Sequence, residues 1–142
     1  MKKFTLDELI IKANNNASPV VVSTGANKYS VSIVNNINGK RVTVSKALSA
    51  ALKLDSVAYF LPVEEANQLL ISASPIGDRS SPCSLSGIDK KISYNAALVQ
   101  MLTNCFKLDF SDKTSRSFND IYIDNSTGTP VAVVNMDSLE RN

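Results

Sequence analysis

A chain of 142 residues with 44% hydrophobic and 20% charged residues has the size and apolar content of one compact domain with a real core. Its net charge of +2 is too small to argue for nucleic acid by itself. Histidine is absent, which removes Ser-His-Asp and Cys-His nucleophiles, histidine acid–base chemistry and most zinc sites.

No apolar run approaches the roughly 18 residues of a membrane helix. Met1-Lys2-Lys3-Phe4 leads into Asp7 and Glu8 rather than into the apolar core of a signal peptide. These features imply a cytoplasmic chain with no membrane partner. Cys83 and Cys105 stand in no metal-ligand spacing and are expected as free thiols. The acids are scattered beside turn residues, so no catalytic constellation, cofactor or metal is expected, and the chain reads as a non-enzyme.

In chain order, Thr5-Leu6-Asp7-Glu8 matches a capping box, and Leu6, Leu9, Ile10 and Ala13 follow at helical spacing, predicting a helix over 5–14. Pro19-Val20-Val21-Val22 reads as a strand, and the alternation from Tyr29 to Ile33 as its hairpin partner. Asn38-Gly39 is a type I′ turn signal leading into the strand Lys40-Arg41-Val42-Thr43-Val44. Ser45 is placed as an N-cap for a short helix whose stripe is Ala47, Leu48, Ala51, Leu52 and Leu54. A strand from Val57 stops at Pro62, Glu64 to Asn67 turns the chain, and Leu69-Leu70-Ile71 returns. Pro75, Gly77, Pro82 and Gly87 mark 74–87 as a linker.

The same grammar then restarts. Lys90-Lys91-Ile92-Ser93-Tyr94-Asn95 repeats the order of Lys40 to Ser45 with a chemically similar residue at each place. Ala97-Leu98 follows as Ala47-Leu48 does, and Phe106-Lys107-Leu108-Asp109 answers Leu52-Lys53-Leu54-Asp55 after a short insertion. Strands over 118–123 and 131–134 complete a second unit. The expected organisation is 1–73 for an N-terminal helix, hairpin and first strand–helix–hairpin unit, 74–87 for the linker, and 88–142 for the second unit.

Charge segregates with these units. From Leu9 to Leu54 there is no acidic residue, whereas Lys12, Lys28, Lys40, Arg41, Lys46 and Lys53 are basic. Lys90 and Lys91 open the second unit. Basic residues clustered on a repeated element point to one basic face, with Lys28, Lys40, Arg41, Lys46, Lys53, Lys90 and Lys91 as the candidate binding residues. Aromatics are not interleaved with them, so base stacking on single strands is not signalled.

The stretch from Gly39 through Lys40-Arg41-Val42-Thr43-Val44-Ser45-Lys46 to Leu54 resembles the AbrB/SpoVT/MazE swapped-hairpin family, although Ser45 stands where that family favours proline. The resemblance is strong over about 45 residues. It implies a strand-rich α+β fold of tandem β-α-β-β units forming a swapped-hairpin pseudo-dimer in one chain. It also implies a transcription regulator or antitoxin that meets DNA through Lys40, Arg41 and Lys46, with Lys90 and Lys91 as the second copy.

Three functions are therefore expected to compete: besides a structural or assembly protein of a virus particle, which would self-associate into large species, there are two binding functions. One is a DNA-binding regulator or antitoxin, monomeric or homodimeric, in which lysines position phosphates and Arg41 reads a guanine edge. The other is a small phage or mobile-element protein that binds and inhibits a host protein such as a nucleic-acid enzyme.

Overall fold

The structure, a computed structural model, describes residues 29–137. The expected helix over 5–14, the strand from Pro19 and the candidate Lys28 lie outside the described residues. Within them the fold is α+β and strand-rich, with nine strands in two antiparallel sheets and two α-helices.

The first sheet contains β1 (Val31–Asn36), β2 (Gly39–Val44), β6 (Lys91–Ser93) and β7 (Ser115–Phe118), in the order β6-β2-β1-β7. The second contains β3 (Val57–Val63), β4 (Gln68–Ser72), β5 (Ser81–Ser84), β8 (Ile121–Asp124) and β9 (Val131–Asn135), in the order β5-β3-β4-β9-β8. Helix α1 (Lys46–Leu52) follows β2, and α2 (Ala96–Phe106) follows β6. Strands from both sides of 74–87 stand in both sheets, and their inner faces share one core that includes Val31, Ile33, Val42, Val44, Phe60, Ile71 and Phe118. The segments before and after 74–87 are thus interlocked through both sheets.

Both helices begin and end the same way. Ser45 accepts from the Leu48 N–H and Asn95 from the Leu98 N–H, each satisfying a donor the first helical turn leaves free. At the other end Lys53 (φ 57°) and Lys107 (φ 53°) are left-handed, and the Leu54 and Leu108 amides donate back to the Ser49 and Thr103 carbonyls. A side chain in that conformation is strained by roughly 1 kcal/mol, which glycine avoids. Lys53→Gly combined with Lys107→Gly is therefore expected to raise unfolding free energy by about 1–2 kcal/mol, measured as an increase in the urea midpoint without a change in slope.

Several local expectations change. Asn36 pairs with Gly39, so the hairpin loop is Ile37-Asn38, and neither residue has positive φ. The Asn36 side chain accepts from the Asn38 N–H at 3.1 Å, supplying the turn's hydrogen bond locally. Pro62 lies inside β3 rather than ending it, because β5 covers only Val57 to Phe60 and leaves that side of β3 an edge where a missing N–H is tolerated. Part of the expected linker is strand β5, paired to β3. The single strand expected over 118–123 is two: β7 pairs with β1, and after Asn119-Asp120 the chain crosses to the other sheet as β8. That crossing is held by Asn135, whose backbone and side-chain amides donate to Asp120.

Strand β6 differs from its sequence counterpart β2 in facing: Val42 is in the core, but Ile92, which matches it in sequence, is not. Instead Ser93 stands opposite Val42 and Ile92 opposite Thr43. Partners across a ladder share a face, so Ser93 is the buried residue and Ile92 lies on the outer side. A shift of one residue between β6 and the Asn95 cap turns the strand over relative to β2, as a period of two requires.

Candidate nucleic-acid interface

Val42 and Val44 point into the core, so Arg41 and Thr43 face outward from β2. The ladders align Ile92, Thr43, Ser32 and Ser117 in one row across the outer face of the first sheet, and Arg41, Val34 and Ser115 in the next. The Ser32 and Ser117 hydroxyls meet at 2.9 Å. Ser30 and Ser45 continue the hydroxyl surface toward α1: the Ser45 N–H donates to the Ser30 carbonyl, and the Ser30 N–H donates to Ser45 Oγ. This polar face is the outward half of the same alternation that buries Val31 and Ile33.

A loop overhangs one end of the face. Ser86 bridges Ile92 through two backbone hydrogen bonds of 2.8 Å, and Gly87 to Lys91 connect them. Gly87 has φ +106°, and a Cβ there would sit 2.3 Å from the Lys90 carbonyl oxygen. The Lys91 ammonium donates to the Gly87 carbonyl at 2.8 Å and pins the loop. Between loop and sheet lies an open cavity of about 770 Å³ lined by Ser30, Ser32, Thr43, Ser45, Lys46, Ile88, Asp89, Lys90 and Ile92. On the loop's other side a depression of about 170 Å³ is lined by Lys46, Ser49, Lys53, Ile88, Asp89 and Lys91, among others. Four lysines thus gather around one short loop whose own acid is Asp89.

The candidates divide into two groups. Lys46, Lys53, Lys90 and Lys91 come together because β6 runs antiparallel to β2, placing Lys91 opposite Val44 beside the start of α1. Lys40 and Arg41 lie toward the other end of β2, next to the hairpin tip. Lys40 falls on the inward side of its strand, past the core, and its ammonium donates to Asn35 Oδ1. Arg41 alone of that pair belongs to the outer face. The hydroxyl rows, Gly87 and the loop tips were not among the sequence candidates. The hydroxyls could have been found from the polar positions of the Ser30 to Ile33 alternation.

Gly87→Ala is expected to reshape this loop. Strain at a left-handed position with a backbone clash costs about 1–3 kcal/mol, read by denaturation as a lowered midpoint.

The other titratable groups lie elsewhere. Burial pushes the Cys83 thiol up, only partly opposed by a hydrogen bond from Asn95, and burial followed by nearby Glu64 pushes Cys105 up. Both cysteines are free. Hydrogen bonds from Ser111 and Ser126 hold the Asp109 and Asp124 carboxyls below the usual range. Among the described residues no three His, Cys, Asp or Glu side chains group as a metal site, and no helix is long and apolar enough to cross a membrane. No family profile, curated protein or solved structure matches the chain.

Proposed function

We propose that the protein is a non-enzymatic DNA-binding regulator, of the transcription-regulator or antitoxin kind, that grips the duplex backbone with the outer face of its first sheet. The observation that carries this reading is the convergence of Lys46, Lys53, Lys90 and Lys91 around one loop beside the Ser30, Ser32, Thr43 and Ser45 row. Lysines and hydroxyls are the groups that position a duplex through phosphate oxygens, and neither carries sequence information. Arg41, outward on the same sheet, supplies the planar donor fork suited to a guanine edge.

The finer architecture belongs to the same proposal. The matched caps at Ser45 and Asn95, and the matched left-handed ends at Lys53 and Lys107, support descent of the two units from one strand–helix–hairpin ancestor. So does the order β3-β4-β9-β8, in which the two closing hairpins meet back to back. A swapped-hairpin pseudo-dimer of the AbrB kind would bring its basic segments together on one sheet in this way.

The test is fluorescence anisotropy with a labelled duplex over a series of salt concentrations. Binding whose logarithmic affinity falls linearly with log salt is expected. Absence of binding at low salt overturns the proposal. Recovery of a single stable protein partner from cells, with no DNA, would instead favour the inhibitor reading, for which the edge strand β8 with exposed Tyr122 offers a place for strand addition.

A further inference from the structure

We propose that Ile37 and Ile88 are a pair of wedges that enter base steps of the bound duplex and bend it. The inference rests on the DNA reading above and extends it from backbone contact to deformation. Both side chains are 93% exposed, more than any other large hydrophobic residue described. Each stands at the tip of a short connection between two antiparallel segments: Ile37 between β1 and β2, Ile88 between Ser86 and β6. Each is followed closely by a basic residue on the outer side, Arg41 in one case and Lys90 in the other. Each tip is also braced, by the Asn36 side chain on the Asn38 amide and by the Lys91 ammonium on the Gly87 carbonyl.

One exposed isoleucine is unremarkable on a protein surface. Two in matching positions, each braced and followed by a cation, fit a shared task. Apolar wedges partly unstack base steps, and the resulting bend brings more of the duplex against the protein. The cation beside each wedge holds a phosphate of the opened step. The geometry suits one duplex. Because β2 and β6 are antiparallel with Val42 opposite Ser93, the tips point to opposite ends of the sheet. The length of β2 separates the bases of the two connections, about 17 Å at 3.4 Å per residue, so a duplex laid along the face would pass both.

The experiment uses the full chain and duplexes labelled at both ends for energy transfer, with 2-aminopurine placed at candidate steps. The parent is expected to shorten the end-to-end distance and raise 2-aminopurine fluorescence. Ile37→Ala combined with Ile88→Ala should abolish both signals, weaken binding about tenfold and leave the salt slope unchanged, while Ile37→Leu with Ile88→Leu restores the bend. Both positions are exposed, so circular dichroism should be the same for all variants. A parent that binds without bending, or an alanine pair that bends as the parent does, overturns the wedge and leaves the backbone reading standing. A parent that binds no duplex overturns both.

Discussion

Replacing Lys46, Lys53 and Lys90 together with alanine is expected to lower DNA affinity on the order of several hundredfold at about 0.1 M salt and to flatten the salt dependence by nearly three units of slope. Each lysine that neutralises a phosphate releases close to one counterion, and at that ionic strength this is worth roughly a factor of eight per contact. All three side chains are exposed, so their loss leaves the core untouched. Lys91 is omitted because its ammonium braces the loop at Gly87, and its removal would confound charge with shape. Lys107→Gly, a loss of the same charge at the end of α2, provides the control and should leave the slope unchanged. A loss of affinity per charge removed that is the same in the control and the triple variant would mean that net charge, rather than this cluster, governs binding.

Phe60→Ala is expected to be the most damaging single substitution for the fold, at about 3–5 kcal/mol. Phe60 is fully buried at the centre of β3, with Ile71 of β4 on one side and Ser81 of β5 on the other. Deleting the ring removes a large apolar surface and leaves a cavity that two flanking strands cannot collapse to fill. Against a typical total stability of about 5–15 kcal/mol, that loss takes much of the margin. Urea denaturation followed by circular dichroism reads it as a lowered midpoint. A change under about 1 kcal/mol would show that the core can close around the gap.

How much of this could be read beforehand differs by kind of feature. Ser45 and Asn95 announced the helix starts because a cap is a local bargain between a side chain and amides a few residues ahead. The alternation around Val31 and Val42 gave β1 and β2, and Asn67 turns the chain between β3 and β4 in a left-handed conformation. Apart from the Asn38-Gly39 turn, what failed depends on a partner. Ile92 and Val42 look alike in sequence, yet their faces are set by what stands opposite them. Ser81 to Ser84 looks like linker because two serines and a proline carry little strand preference, and only pairing with β3 makes them a strand. The candidate site followed the same rule. The four lysines of the cluster were among the candidates, but only the antiparallel pairing of β6 with β2 decides that Lys90 and Lys91 join Lys46 and Lys53 rather than Arg41.

The interlocking of the early and late parts of the chain also dictates the order in which it can mature on the ribosome. Strand β4 takes β9 as its neighbour, with Gln68 against Asn135 and Ser72 against Val131. Until Val131 to Asn135 has emerged from the exit tunnel, β4 carries an open edge with Leu69 and Ile71 uncovered by that neighbour. The first half therefore cannot finish folding while the second is being made, and a nascent chain halted before β9 is the species a chaperone must protect from pairing with its like.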